Sequence, residues 1–302
     1  MYTRRNFIKT ASLAAAAVAS PAFASNLLQR KNDFFEISLA QWSLHKALFA
    51  GKLTNMDFPL KAKRDFGIDI VEYVSVFFQG KEADKSYVNS LKQITKDNGI
   101  RNNLIMVDGE GDLGDLDEKK RMKAVENHYK WVETAKVLGC KSIRVNAFGK
   151  GTAEEVKAAV VDGLRKLTNF ASKSKINVIV ENHGSYSSNG KWLAEVMREV
   201  NHPFCGTLPD FGNFRISETE KYDLYQGVQD LLPFAKAISA KTFRFDDSGN
   251  EPDIDYFRLF DMIRKSGFKG VVGIEWEGNS LSEDEGILAT KRLLERVKKH
   301  FG

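Results

Sequence analysis

Two hydrophobic patterns alternate along most of the chain. Short runs of β-branched and aromatic residues are followed by longer stretches in which apolar residues recur every three or four positions, the spacing of an amphipathic helix. Eight such pairs occur in succession. The predicted strands cover residues 35–41, 68–74, 100–107, 141–146, 176–181, 205–208, 237–243 and 270–275. This alternation is typical of a parallel sheet whose strands are joined by crossover helices.

The eight predicted helices follow the strands in order. They cover residues 57–66, 85–98, 117–138, 153–173, 191–200, 222–234, 255–265 and 283–300. Several end in a glycine just before the next strand, where a left-handed residue allows a tight loop: Gly67, Gly99, Gly139 and Gly267. Eight βα units without a Pro/Ser-rich linker predict an α/β fold, a single (β/α)8 TIM barrel. A doubly wound open sheet is the competing architecture.

Residues 1–24 differ in composition from the rest. A basic start precedes an alanine-rich stretch and a small-x-small end at Ala22-Phe23-Ala24, which is the layout of a secretory signal. Within it, Thr3-Arg4-Arg5-Asn6-Phe7-Ile8-Lys9 resembles the twin-arginine export signal. An amphipathic helix of the fold is the alternative, although the alanine-rich stretch carries no apolar stripe. We therefore predict a signal over residues 1–24, a barrel over 25–302 and a periplasmic location.

Charge and composition exclude several classes of protein. With Cys 2, Gly 23 and Pro 6 among 302 residues, the chain is neither collagen-like nor a disulfide framework. The net charge is +5, but residues 1–24 hold three cations and no anion, which leaves 42 basic against 40 acidic residues, a net of +2. This balance predicts no nucleic-acid partner. No cysteine directly follows residue 24, so we expect no membrane anchor after signal removal.

Polar side chains close most of the predicted strands. In a barrel of this kind chemistry takes place at the carboxyl ends of the strands, so these residues are the candidates for a site. Glu181 and Glu275 each end an otherwise apolar run, and several converging carboxylates need a cation. The full set of strand-end residues is Gln41, His45, Glu72, Asn146, Glu181, Asn182, His183, Asp210, Asn213, Lys241, Glu275 and Glu277.

At these residues the sequence resembles the sugar phosphate isomerase/epimerase-like superfamily, the xylose isomerase-like TIM barrels. The matching elements are Ile68-Asp69-Ile70-Val71-Glu72, Val178-Ile179-Val180-Glu181-Asn182-His183, Pro209-Asp210-Phe211-Gly212-Asn213 and Gly273-Ile274-Glu275. The resemblance implies that a divalent metal is held at the positions of Glu181, Asp210, Ser239 and Glu275. The superfamily usually has a His where Ser239 stands, and often another where Asn213 stands.

Three carboxylates alone form an oxygen-rich site, which suits Mn²⁺ or Mg²⁺, or a weakly held Zn²⁺ completed by His183. We therefore predict Glu181, Asp210 and Glu275 as metal ligands. The alternatives are a buried salt bridge of either glutamate to Lys241 or Arg144, and a turn or capping role for Asp210. Lys241 has two interpretations, a cation that anchors substrate or a counterion that replaces the metal.

The remaining polar strand-end residues are predicted to bind substrate. These candidates are His45, Glu72, Asn146, His183 and Lys241. His45 is equally compatible with a surface loop, and His183 with a metal ligand or a proton carrier. Four aromatic residues could stack on sugar rings, although aromatics beside strands more often belong to the core: Trp42, Phe77, Phe148 and Trp276.

The two cysteines, Cys140 and Cys205, precede or open the fourth and sixth predicted strands. Neighbouring strands lie about 4.8 Å apart, so cysteines two strands apart are beyond the reach of a disulfide. We expect two buried free thiols.

The resemblance implies a carbohydrate isomerase or epimerase, or a related lyase, in which Glu181 and Glu275 exchange a proton next to a carbonyl. A periplasmic location favours a free sugar, a keto-sugar or a glycoside over a sugar phosphate. The alternative is a non-catalytic or weakly catalytic sugar-binding barrel, since the seventh-strand His is missing. Repair of DNA at abasic sites is disfavoured by export and by the near-neutral charge. The sequence is compatible with a homo-oligomer and leaves the sugar, the stereocentre and the metal open.

Overall fold

Eight parallel strands form the centre of the molecule. A computed structural model describes residues 34–302, so the predicted signal lies outside the described residues. The strands are β1 Phe35–Ala40, β2 Ile70–Val74, β3 Arg101–Met106, β4 Ser142–Val145, β5 Asn177–Glu181, β6 Cys205–Leu208, β7 Ile238–Thr242 and β8 Gly270–Trp276. Each lies within two residues of its predicted bounds, because the apolar runs that form them are buried almost throughout.

The strands are paired in the order β6-β5-β4-β3-β2-β1-β8-β7. The two ends of this row meet through the parallel bridges Thr207↔Ala235 and Asp210↔Ser239. The sheet therefore forms a nearly closed barrel, as predicted, and the open-sheet alternative is wrong. Because Asp210 is a predicted metal ligand, the junction at which β6 and β7 close the barrel lies at the candidate site.

Helices follow the strands around the barrel. They are α1 His45–Phe49, α2 Phe58–Phe66, α3 Lys85–Asp97, α4 Glu118–Leu138, α5 Ala153–Ser172, α6 Gly190–Val200, α7 Leu224–Leu231, α8 Tyr256–Lys265 and α9 Glu283–Phe301. Thr152 and Glu155 form a capping box at the start of α5. Gly67 and Gly139 end α2 and α4 in the left-handed conformation, with φ of 65° and 77°, as predicted. None of the helices within residues 34–302 has the length and apolar character to cross a membrane.

A layer of polar side chains crosses the barrel interior below the strand ends. Ser38 of β1 is paired with Gly273 of β8, and Glu72 of β2 reaches toward this glycine. A Cβ atom on Gly273 would lie 2.6 Å from Glu72 Oε2, so a larger residue there would require the Glu72 carboxyl group to shift. We call Ser38, Glu72, Asn103 and Gly273 the lower layer.

The cysteines are arranged as predicted. Cys140 and Cys205 are both buried and free. β5 pairs with β4 on one side and with β6 on the other, so it separates the two thiols. Burial raises the pKa of the Cys205 thiol to about 11, which keeps it protonated.

Candidate active site and metal centre

Three buried carboxylates meet at the carboxyl ends of the strands. Glu181 is the last residue of β5, Asp210 follows β6, and Glu275 is the next-to-last residue of β8. Each side chain offers an oxygen, and these oxygens all lie within 4.8 Å of one another. We call Glu181, Asp210 and Glu275 the upper layer. The structure thus brings together the three predicted metal ligands.

Asp210 is held in place through its backbone. The side chain of Asn182 donates to the Asp210 carbonyl at 2.9 Å and accepts from the Asp210 amide at 2.7 Å. The amide of Gly212 donates to Asp210 Oδ1 at 2.8 Å. The other oxygen, Oδ2, accepts no hydrogen bond. Burial raises the pKa of Asp210 well above its ordinary value, and the charges of Glu275 and Glu181 raise it further against the effect of Lys241.

Lys241 enters the upper layer from β7. The register of β7 on β8 pairs Lys241 with Glu275, and its Nζ lies 3.2 Å from Glu275 Oε1 and 3.8 Å from Asp210 Oδ2. It lies 3.0 Å from Glu277 Oε2 as well. Burial disfavours the charged form of Lys241, but the surrounding carboxylates outweigh this effect and raise its pKa well above the ordinary value. Lys241 is therefore an ammonium ion at neutral pH.

Arg144 reaches the upper layer from β4. Its Nε lies 2.8 Å from Glu181 Oε2, although the pair lacks hydrogen-bond geometry, and its Nη1 donates to Asp108 Oδ1 at 2.8 Å. Asn146 donates to the same Asp108 oxygen at 2.7 Å. Burial disfavours ionisation of Asp108, but Arg144 outweighs it and lowers the pKa of this carboxyl. Asp108 is therefore an anion that orients both Arg144 and Asn146.

The fit of a divalent metal can be judged from the charges and from the carboxyl oxygens that accept no hydrogen bond. Glu181 Oε2 and Asp210 Oδ2 are buried and accept no hydrogen bond. The cations Arg144 and Lys241 are shared by five carboxylates, those of Asp108, Glu181, Asp210, Glu275 and Glu277. A pocket with more carboxyl groups than cations, and with converging oxygens that accept no hydrogen bond, is compatible with a hard divalent cation held by Glu181, Asp210 and Glu275.

Ser239 occupies the position at which the resemblance implies a histidine. Its hydroxyl donates to Glu275 Oε2 at 2.8 Å, so it orients a ligand carboxylate and brings no imidazole. Asn213, where a second histidine is often found, donates to Glu181 Oε1 at 2.9 Å. Both departures from the pattern replace an imidazole by a group that fixes a carboxylate. The donor set is consequently richer in oxygen than the resemblance implies.

Glu72 lies in the lower layer rather than at the mouth of the barrel. It is 1% exposed, and its Oε1 accepts from Ser38 at 2.7 Å and from Asn103 at 2.8 Å. Burial raises its pKa to about 7, and the charges of Glu275 and Glu181 raise it too. Glu72 is therefore not at a strand end, where it was predicted to bind substrate, because its side chain comes from the middle of β2.

The other predicted substrate-binding residues lie around the upper layer. His183 Nδ1 is 3.0 Å from Asn146 Oδ1, and the His183 ring stacks on Phe148 at a centroid distance of 6.2 Å. Because Asn146 donates its amide nitrogen to Asp108, its oxygen faces His183, whose Nδ1 then carries the hydrogen. His45 stacks on Trp42 at 4.9 Å, and its Nδ1 is 2.7 Å from the Trp42 carbonyl.

Two residues of the site were not predicted to act in it. Asp108 was not a candidate, and Arg144 was considered only as a salt-bridge partner. Asp108 directly follows the apolar run Leu104–Met106 and Val107, so the strand-end rule applied to the third strand would have found it. Arg144 is a cation inside the short buried strand β4, which is itself a signal. Trp276, by contrast, is buried against Phe245 in the core.

Comparison with protein families agrees with this arrangement. The profile of the Xylose isomerase-like TIM barrel family matches residues 60–299. The chain belongs to this family. The match includes β2 to β8 and all of the upper layer.

Solved structures with the same fold include two sugar epimerases and a protein with a bound zinc atom. D-allulose 3-epimerase from Methylomonas sp. superimposes with a TM-score of 0.69 at 15% identity, over 88% of this chain and 98% of that one. The IOLI protein with a bound zinc atom gives 0.69 at 16%, over 89% and 99%. The 3-keto-D-glucoside 4-epimerase YcjR of E. coli gives 0.63 at 16%, over 87% and 99%. At these identities the likeness shows the fold.

One curated protein is similar over a short segment. The C-glycoside deglycosidase alpha subunit of Arthrobacter globiformis is 33% identical over 54 residues, which are 18% of this chain. The matched segment spans only 15% of that protein's length.

Proposed function

We propose that this chain is a carbohydrate isomerase or epimerase, or a related lyase, that deprotonates a carbon next to a carbonyl. The observation that carries the proposal is the upper layer, in which three buried carboxyl groups converge with oxygens within 4.8 Å of one another. The substrate class is a free sugar, a keto-sugar or a glycoside. The fold neighbours that act on D-allulose and on a 3-keto-D-glucoside, and the short match to a C-glycoside deglycosidase, support this choice.

In the proposed mechanism Glu181 and Glu275 act on the proton. They come from β5 and β8, on different sides of the barrel, so a substrate between them meets one carboxylate as base and the other as the group that returns the proton. Ser239 orients Glu275, and Asn213 orients Glu181, through the hydrogen bonds given above. A divalent metal, Mn²⁺, Mg²⁺ or Zn²⁺, would supply charge stabilisation when bound by Glu181, Asp210 and Glu275.

In this proposal the substrate is held by Lys241 and by His183. Lys241 is a permanent cation beside Glu275, so it can donate to an oxygen on which negative charge develops. The Nδ1 hydrogen of His183 is engaged by Asn146, which leaves Nε2 as an acceptor for a sugar hydroxyl. Asn146 thus acts on substrate through His183.

Solvent isotope exchange tests the reaction. The protein, loaded with Mn²⁺ in D₂O, should incorporate deuterium next to the carbonyl of at least one sugar from a panel of D-fructose, D-allulose and methyl 3-keto-β-D-glucoside, as followed by proton NMR. Glu275→Gln should reduce the exchange rate by about 10²-fold or more. The metal-free variant should be as stable as metal-free wild type, or more stable, because it loses one of several mutually repelling carboxylates.

A sugar-binding barrel without catalysis is the second candidate. It is favoured by one observation, the ammonium of Lys241 inside the carboxylate cluster where no histidine ligand is present. Under this alternative the sugars bind without exchanging hydrogen, and the melting temperature is the same with and without EDTA. That pair of results would contradict the enzyme proposal.

We also propose that the protein is exported to the periplasm by the twin-arginine route, on the basis of residues 1–24. Replacing Arg4 and Arg5 together by Lys should leave the precursor in the cytoplasm, measured by cell fractionation and immunoblotting. Normal periplasmic yield of this double variant would remove the assignment.

A further inference from the structure

Exposed large apolar side chains are concentrated on one face of the barrel. Within residues 34–302 there are four, Phe49, Val76, Leu116 and Phe243, which are 61%, 47%, 45% and 37% exposed. Each follows the carboxyl end of a strand, so all four lie on the face that carries the upper layer. A contiguous group of exposed apolar side chains indicates a surface that binds a ligand or a partner.

Three aromatic rings on this face form a cluster, which we call the aromatic rim: Trp42, Phe49 and Phe77. The Phe49 ring lies 5.1 Å from Phe77 and 6.1 Å from Trp42, and Trp42 lies 6.4 Å from Phe77. Phe77 is buried and Phe49 is mostly exposed, so the rim has a packed base and an open edge. Val76, also exposed, directly precedes Phe77.

The aromatic rim is connected to the upper layer by hydrogen bonds. Trp42 Nε1 donates to Glu277 Oε1 at 3.0 Å, and the other oxygen of Glu277 accepts from Lys241 at 3.0 Å. Lys241 in turn contacts Glu275. Two side chains, those of Glu277 and Lys241, therefore separate the rim from Glu275. A sugar ring at Glu275 would carry a substituent outward beside Trp42.

The indole of Trp42 is fixed in orientation. Its N–H is engaged by Glu277, and the His45 ring stacks on it with an interplanar angle of 15°. The polar group of Trp42 is thus already satisfied, and Phe49 and Phe77 have none. The rim can offer a ligand apolar and ring-to-ring contacts, whose preferred partner is a flat unsaturated group.

We propose that the aromatic rim is a subsite for the aromatic aglycone of a glycoside whose sugar occupies the upper layer. This inference rests on the proposed function for the position of the sugar. The continuity of the rim with Glu277 and Lys241 favours an aglycone over a second copy of the chain, because the rim begins where a bound sugar would end.

Calorimetric titration of the full chain with two glycosides tests the subsite. We expect 4-nitrophenyl β-D-glucoside to bind about tenfold more tightly than methyl β-D-glucoside, or better. Phe49→Ser should remove most of this advantage and leave the affinity for the methyl glucoside unchanged. Leu116→Ser is the matched control, since it removes a similarly exposed apolar side chain of the same face outside the rim, and it should leave both affinities unchanged.

Equal affinities for the two glucosides, an advantage that survives Phe49→Ser, or no binding of either glucoside at millimolar concentration would each overturn the subsite. So would a dimer in sedimentation velocity that Phe49→Ser converts to monomer, since the rim would then face a second copy. The proposed function can fail independently of the subsite. If no isotope exchange occurs but the aryl preference is still lost in Phe49→Ser, the proposed reaction is wrong and the subsite stands.

Discussion

Two layers of buried carboxyl groups in one barrel are held in different ways. In the lower layer, Glu72 contacts only neutral donors, the hydroxyl of Ser38 and the amide of Asn103. In the upper layer, Lys241 and Arg144 lie within 3.2 Å of Glu275 and Glu181. All of these carboxyl groups are nearly inaccessible to solvent. Burial raises the pKa of both Glu72 and Asp210, so the two layers differ in their partners, which are neutral donors in the lower layer and cations in the upper one.

The difference separates a structural role from a chemical one. Glu72 has a pKa of about 7 and occupies the space beside Gly273, so we assign it a structural role in the barrel interior. The upper-layer carboxyl groups lie beside two cations and offer oxygens within 4.8 Å of one another, which is the arrangement expected of the proposed metal and proton-transfer centre.

Removal of Lys241 should have the largest effect on stability. Lys241→Met leaves Asp210 and Glu275 buried without their ammonium, so we expect the metal-free protein to lose about 3–5 kcal/mol of unfolding free energy. Urea denaturation in EDTA measures this, with the exposed Lys269→Met as matched control. Saturating Mn²⁺ should recover part of the loss. A loss no greater than that of the control would contradict the charge balance described for the upper layer.

The free energy of unfolding should depend on pH through Glu72 of the lower layer. This effect is smaller than that of removing Lys241. Glu72 has a pKa of about 7 when folded, above its ordinary value of 4.5, so the folded state keeps a proton that the unfolded chain has released. The stabilisation is full below the unfolded pKa and is lost as the pH rises through the folded one. Between about pH 5 and pH 8, the wild type should lose about 2 kcal/mol more than Glu72→Gln.

This comparison is made by denaturation in EDTA at several pH values. Glu126→Gln, which alters an exposed glutamate, is the control and should follow the wild type. Parallel pH profiles of wild type and Glu72→Gln would show that Glu72 is ionised throughout, and that the two layers do not differ in the way described.

Much of this arrangement could be predicted from the sequence. The alternation of apolar runs and amphipathic stretches located all eight strands, and the rule that chemistry lies at strand ends located Glu181, Asp210 and Glu275. Strand-end position is readable because it depends on chain order and on the length of each apolar run.

The depth of each side chain was not predictable. Glu72 and Glu181 both sit in apolar runs, but Glu72 lies in the middle of β2 and Glu181 at the end of β5, and the stagger of the strands sets the layer that each one reaches. The distances of Lys241 to its partners likewise follow from the register of β7 on β8. Neither stagger nor register is encoded in hydrophobic periodicity, so Lys241 had two interpretations before the fold was known.

The central claim is that Glu181, Asp210 and Glu275 hold a divalent metal, and one measurement tests it most directly. Crystals grown with Mn²⁺ and measured with X-rays at the manganese absorption edge should show one strong anomalous peak between the three carboxylates. The ammonium of Lys241 should then lie beside the metal, still in contact with Glu277. If no peak appears there and Lys241 Nζ lies at the centre of the three carboxylates, the account is contradicted. The lysine ammonium would then occupy the position proposed for the metal.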